Sequence, residues 1–261
     1  MKPLAPGAWI VTGAASGFGR EFAVRLARRG VALALFDRDA DGLDATRSLL
    51  PGAKVHTAAV DLSNDDAIFG AVRAAREALG PIAHCVNSAG VLSFGAVETT
   101  PVADFRRLME VNYLGSVKVA QAALPHLREA SSGGRAVMLF VASIAGLRAA
   151  PQVGGYSASK YAVVGVARAL RDEMIGTDID VRALCPPAGD TPMIRAFATL
   201  PPIYKVTSKL SAQTIVGRAL DALDAPGFEI LVDAQSRALI AANKLVPGIA
   251  EWVVGRVTGS R

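Results

Sequence analysis

The chain has 261 residues, 51% apolar and 20% charged, which suits one large α/β domain or two small ones with a substantial buried core and is too apolar for disorder. Its formal charge of +5 comes from lysines and arginines scattered among acids, so no basic arm or stripe for nucleic acid is expected. The three histidines, His56, His84 and His126, are dispersed without ligand spacing, so no metal site is expected either.

After Lys2 the chain reads PLAPGAWIVTG, and its apolar part runs into a glycine motif instead of a cleavage site, so no secretory signal is expected. AWIVT (8–12) is predicted as the first strand. TGAASGFG follows, in which Gly13, Ser16, Gly17, Phe18 and Gly19 make a tight turn that opens a helix over 17–30. Glycines let backbone N–H groups approach a pyrophosphate, whose charge a helix N-terminus favours. Alone, such a turn also serves as a plain strand-to-helix corner. VALALF (31–36) is the second strand and delivers Asp37, which can accept from both adenosine ribose hydroxyls and repels a 2′-phosphate. NAD is therefore expected, with NADP as the alternative because Arg38 could pair with that phosphate. A helix over 39–50 and a strand AKVHTAAV (53–60) lead to Asp61 and Leu62. Asp61 suits the adenine amino group, and equally a turn or cap before SNDD. A helix over 64–79 precedes IAHCVN (82–87), which ends in NSAG: Asn87, Ala89 and Gly90 lie where small residues let the backbone pass close to a cofactor.

Helical spacing runs from 101 to 130, and RAVMLFVA (135–142) is the fifth strand, delivering Ser143. In YSASK, Tyr156 and Lys160 stand four apart and share one face of a helix predicted over 156–175. An ammonium beside a phenol favours the phenolate and lowers a pKa that starts near about 10. That is acid/base chemistry on an alcohol or ketone. A strand DIDVRALC (178–185), a proline-rich loop, a helix near 211–223 and a last strand FEILVD (228–233) complete the series. Several strands are almost continuously apolar and alternate with helices, which predicts an α/β doubly wound parallel sheet with helices on both faces. Nothing cuts the chain, so one domain is expected over 1–233, with 234–261 as its C-terminal helical extension. Cys85 and Cys185 lie in apolar runs and read as buried free thiols in a reducing, cytoplasmic setting. The longest uncharged apolar stretch, Ala136 to Leu147, is too short for a span of about 20 residues.

TGAASGFG, NSAG, the Asn112 of EVNYLG, Ser143 and the Tyr156–Lys160 pair resemble, in order and spacing, the short-chain dehydrogenase/reductases, over about residues 7 to 233. The resemblance implies a Rossmann-like fold, a nicotinamide cofactor and hydride transfer without a metal. It implies that Tyr156 is the general acid/base and that Ser143 holds the substrate oxygen. Lys160 would depress the Tyr156 pKa and hold the nicotinamide ribose; Asn112 would kink its helix and bind a water linking Lys160 to solvent. It further implies pairing of helices 101–130 and 156–175 between subunits, as a homodimer or homotetramer. Singly, each residue has a bland alternative: a surface pair, a strand-end serine, a mid-helix asparagine. A cofactor-binding regulatory protein without turnover would lack Ser143, Tyr156 or Lys160.

After the sixth strand most of the family carries Pro-Gly and then a Thr; here the chain reads Cys185-Pro186-Pro187-Ala188-Gly189-Asp190-Thr191. Pro187 fixes φ and removes a donor, while Thr191 still sits where the contact to the nicotinamide amide belongs. The Pro-Pro pair followed by Asp-Thr-Pro resembles the branch of 3-ketodihydrosphingosine reductases, which act on long-chain ketones at membranes. The tail leans the same way. Leu239, Ile240, Leu245, Val246, Ile249, Trp252 and Val253, flanked by Arg237, Lys244, Arg256 and Arg261, form an amphipathic basic segment suited to a membrane surface, or to packing on its own domain or on a neighbour. Leu92, Phe94, Ala145, Leu147, Pro151, Val153 and the loop Met193 to Tyr204 are candidate pocket residues. Of these, Leu147, Phe94 and Met193, with Ser143 and Tyr156, are the expected substrate contacts. Their apolar character favours a small hydrophobic alcohol or ketone, with the long loop as a lid. Arg148 and Arg195 would meet an acidic head group or simply be solvated.

Overall fold

A computed structural model describes the chain except residues 206, 208, 247, 249, 250, 253, 254 and 257–261. Seven strands of the described residues form one parallel sheet in the order β3-β2-β1-β4-β5-β6-β9. These are β1 (Ala8–Thr12), β2 (Leu33–Asp37), β3 (Val55–Ala59), β4 (Ile82–Asn87), β5 (Ala136–Val141), β6 (Ile179–Leu184) and β9 (Glu229–Ile230). The helices between them are α1 (Gly17–Ala27), α2 (Ala40–Ser48), α3 (Ala67–Leu79), α4 (Val102–Leu108), α5 (Gly115–Ala130), α6 (Gly154–Glu173) and α8 (Ala212–Ala222).

The strands are apolar because both faces of the sheet are covered. Successive residues point to opposite sides, so Ile10, Ala34, Cys85 and Met138 enter one core and Val11, Leu35, Val86 and Leu139 enter the other. The first core packs under α3, α5 and α6 through Ile68, Leu127 and Val163; the second packs under α1 and α8 through Phe22, Leu26 and Ile215. β1 pairs with β2 on one side and β4 on the other, so the connections turn opposite ways from β1. A crevice opens at the carboxyl ends of the strands at such a switch point.

Several predicted elements are refined. The helix expected over 101–130 is interrupted by a π-helical stretch, Met109–Leu114, between α4 and α5. The last strand pairs only at Glu229 and Ile230, opposite Ala183 and Leu184. A short parallel ribbon, unforeseen from the sequence, joins β7 (Gly189–Asp190) to β8 (Leu210–Ser211) and ties together the two ends of the loop that carries the short α7 (Pro192–Arg195).

Beyond β9, α9 (Ala234–Leu245) begins at Asp233, whose Oδ2 accepts from the Ser236 N–H at 3.2 Å. Ile240 is buried, and Lys244 pairs with Glu229 at 3.0 Å, so α9 packs on the body of the domain. Leu245 and Trp252 are exposed, with the Arg256 guanidinium 4.5 Å from the Trp252 ring centre. The tail positions Ile249, Val253 and Arg261 lie outside the described residues. No described helix is long and apolar enough to cross a membrane.

Candidate active site

The glycine loop leaves β1 and enters α1 at the switch point. A Cβ on Gly19 would run into the Gly13 carbonyl, so only glycine allows this closeness of helix and turn. Ser16 precedes α1 without making a side-chain cap, and the first turn of α1 has no acid. Its N–H groups therefore suit an anion such as a diphosphate. The loop is braced from outside: the Arg20 guanidinium donates to the Ala15 carbonyl and to Thr46 Oγ1, and Thr46 Oγ1 donates to the Ala14 carbonyl at 2.8 Å.

At the end of β2, Asp37 Oδ2 accepts from the Ala15 N–H at 3.0 Å and Oδ1 from the Asp39 N–H at 3.1 Å. Each oxygen keeps a lone pair for a ribose hydroxyl. Arg38 is exposed beside it. Asp61 Oδ1 accepts from the N–H and hydroxyl of Ser63 at 2.9 and 2.8 Å, and these bonds hold its carboxyl below the usual range. Both the turn role and the groove position expected of Asp61 are thus compatible. Asp37, Arg38, Asp61, Leu62, Ala89 and the loop residues Gly13, Ser16, Gly17, Phe18 and Gly19 all line one groove of about 300 Å³. These features fit a dinucleotide: small backbone-lined turns for the diphosphate and a carboxylate for the ribose.

Asn87 departs from its expected place. It is buried, and its Oδ1 accepts from Thr12 Oγ1 at 2.8 Å, while Thr12 Oγ1 in turn accepts from the Ser88 and Ala89 N–H groups, each at 3.0 Å. Thr12 and Asn87 therefore lock NSAG to the glycine loop, Asn87 from beneath the groove and Thr12 from within its lining. Thr12 and Arg20 carry functional positions that the motif reading left unassigned; the only local signal was their adjacency to the glycines.

Asn112 sits in the π-helical stretch and is fully buried. Its amide clasps the Val91 backbone, Nδ2 donating to the carbonyl at 3.0 Å and Oδ1 accepting from the N–H at 2.7 Å, and Nδ2 also donates to Ser159 Oγ at 2.9 Å. The α-helical hydrogen-bond ladder gives way to π-helical bonding at this position, where a kink is expected. Ser143 follows β5 and caps the short turn Ile144–Gly146, its Oγ accepting from the Ala145 N–H at 3.1 Å. That turn lies against α6, where a Cβ on Gly146 would sit 2.6 Å from the Lys160 carbonyl oxygen. Tyr156 and Lys160 come from the first two turns of α6, with the ammonium 5.9 Å from the phenol ring centre and donating to the Val141 carbonyl at 3.0 Å.

The expected lowering of the Tyr156 pKa is not found in this structure. Burial pushes the phenol up to about 12, with the neighbouring Ser143 hydroxyl partly opposing it, and burial pulls Lys160 down to about 8. In a site shielded from water, the cost of either charge outweighs their mutual attraction. Cys185 lies buried beneath them, and its thiol is likewise pushed up to about 12 by burial.

Ser143, Tyr156, Lys160, Pro186, Thr191 and Met193 line a second cavity of about 120 Å³, together with Leu92, Ala145, Val153, Ile203, Tyr204 and Leu239. It shares Phe18, Ser88, Gly90, Val91, Thr191 and Met193 with the groove, so the two are neighbours with a common wall. Two expected substrate contacts lie elsewhere. Leu147 packs against the core, and Phe94 stands behind the cavity, 4.5 Å from the Phe197 ring and 5.2 Å from the Tyr204 ring, where it supports the loop after α7. Pro151 is not part of the wall either, whereas Leu239 of α9 is. Arg195 pairs with Asp190 at 2.8 Å on the surface. His84 is a core residue, stacked on Trp9 and bonded to Ala5 and Val137.

Residues 8–199 match the short chain dehydrogenase family model. The chain is similar to 1-deoxy-11-beta-hydroxypentalenate dehydrogenase of Streptomyces exfoliatus, 34% identical over 234 residues that cover 87% of this chain and 83% of that one. It is also similar to the 3-ketodihydrosphingosine reductase of Bos taurus, 34% identical over 200 residues, 73% of this chain and 59% of the relative. Among solved structures, a short chain dehydrogenase/reductase from Burkholderia phymatum in complex with NAD superimposes with a TM-score of 0.84 at 26% identity, covering 94% of this chain and 95% of that one. The chain is thus an oxidoreductase and belongs to the short chain dehydrogenase family.

Proposed function

We propose that the protein interconverts a hydrophobic secondary alcohol and its ketone with a nicotinamide cofactor, NAD in preference to NADP. The observation that carries this reading is the shared wall: Ser143, Tyr156 and Lys160 face an apolar cavity that adjoins the groove bearing Asp37 and the glycine loop. When bound there, the nicotinamide supplies or accepts the hydride. Tyr156, protonated at neutral pH, gives its proton to the oxygen of a ketone under reduction and takes it back in oxidation. Ser143 Oγ is already an acceptor from Ala145, which leaves its O–H to donate to the substrate oxygen. Lys160 spends one N–H on Val141 and keeps two for the nicotinamide ribose, and its charge eases formation of the phenolate. Asn112 is a positioning residue that holds Val91 and Ser159 around them.

Mixing the protein with NADH or NADPH and a panel of aliphatic, steroid and sphingoid ketones should give cofactor oxidation. Tyr156→Phe should lower kcat by about 10²- to 10⁴-fold. Absence of any turnover sensitive to Tyr156→Phe would overturn the reading. The exposed Leu114 of the π-helical stretch and Tyr161 of α6 favour pairing between copies through these helices, which light scattering would test as a dimer or tetramer against a monomer.

A second reading, a reductase of long-chain lipid ketones working at a membrane surface, is favoured by the exposed Leu245 and Trp252 with Arg256 beside them. Co-sedimentation with anionic vesicles should then be lost on removing residues 246–261, which leaves α9 in place. Equal behaviour of both forms would sink it.

A further inference from the structure

The wall of the substrate cavity is mostly apolar and contains no Asp or Glu, yet Arg148 is part of it. Its Nη1 donates to the Ala149 carbonyl at 2.8 Å, while its Nε is buried without a hydrogen-bond partner. Among the described residues it has no ion-pair partner either. A second orphan belongs to the same wall: Thr207 Oγ1, from the far side of the loop after α7, is also buried and unpartnered. Guanidinium groups stay charged in proteins, and native structures leave few buried donors unmet. Two such atoms in one mostly apolar cavity mark where a bound molecule completes the hydrogen bonding.

The chemistry of that molecule follows from the edge left open. With Nη1 engaged, Arg148 presents Nε and Nη2, two parallel N–H groups whose spacing matches the two oxygens of a carboxylate. The one other cation in the wall, Lys160, stands at the reacting end, where it donates to Val141 and its other N–H groups are assigned to the nicotinamide ribose. A single free fork without a second free cation suits a carboxylate better than a phosphate. We propose that the cavity takes hydrophobic alcohols or ketones that carry a carboxylate away from the reacting carbon, held by the Arg148 fork with the Thr207 hydroxyl as a further donor. The proposal rests on the preceding assignment of this cavity as the substrate site.

Calorimetric binding of straight-chain alkanoates, hexanoate to decanoate, is compared with that of the matching primary alkanols, a readout that needs no turnover. At least one alkanoate should bind the wild type about tenfold or more tightly than its alkanol, Arg148→Met should abolish that preference, and Arg148→Lys should fall between, keeping charge without the fork. The same ratio should appear in kcat/KM for methyl ketones ending in a carboxylate against those ending in a methyl group. Equal binding of the two series, no detectable alkanoate binding, or a loss in Arg148→Met that affects both series alike would each overturn the proposal. Turnover without the carboxylate preference would defeat this inference alone. The preference in binding without any turnover would defeat the oxidoreductase reading and leave the carboxylate site standing.

Discussion

The groove and the cavity share a wall, yet they are built differently. The groove is made largely of backbone: a turn that only glycine permits at residue 19, a second turn locked to it by Thr12 and Asn87, and carboxylates at the ends of β2 and β3. The cavity is made of side chains brought from distant parts of the chain, from Phe18 to Leu239. A site built from backbone tolerates little change. One built from side chains can be re-cut residue by residue, so cofactor binding should be brittle and substrate choice plastic.

The largest test of that contrast is Gly19→Val, which forces a side chain into the Gly13 carbonyl. NADH affinity measured by fluorescence titration should fall by about 100-fold or more, equivalent to roughly 3 kcal/mol. A loss under threefold in a folded variant would break the contrast. Next in size is the pH response. In the proposed reaction, with burial pushing Tyr156 up to about 12, reduction has its proton donor in place through neutral pH, whereas oxidation needs the phenolate. Its kcat/KM should therefore climb with pH by roughly 30-fold between about 7 and 8.5, and Lys160→Met should move the climb to higher pH. A flat profile for oxidation would show that proton transfer is not governed by this phenol.

A stability test probes the core that supports both regions. Burial holds His84 at about 4, below its ordinary 6.5, so the unfolded chain binds the proton more readily. Stability contributed by neutral His84 is present above about pH 6.5 and is lost as pH falls towards 4, by about 2 kcal/mol between pH 7 and 5. Urea unfolding should show this, and His84→Gln should remove it. Smallest is Leu239→Ala, which should raise KM for a hydrophobic ketone a few-fold while leaving NADH affinity unchanged; a matching loss of cofactor binding would mean the two regions are not separable.

The same contrast explains what could be read in advance. The glycine loop, NSAG and the Tyr156–Lys160 pair were legible because each acts within a few residues, where turn geometry and helical period decide positions. Arg20 reaching Thr46, or Thr207 and Leu239 meeting around one cavity, involve separations that no local pattern encodes. Phe94 and Leu147 fall outside the cavity lining, since apolar character near a strand end does not distinguish a cavity wall from neighbouring packing. The Tyr156 shift reversed because spacing reports which groups are neighbours and says nothing about how much water they lose.

The placement of Leu239 has a consequence for descent. The family match ends at residue 199, whereas Ile203, Tyr204, Thr207 and Leu239 of the cavity wall lie beyond it. On the proposed assignment, part of the substrate wall therefore lies outside the stretch that the family model matches. A transplant of residues 200–245 between relatives would be expected to carry substrate preference with it and leave the choice of cofactor behind.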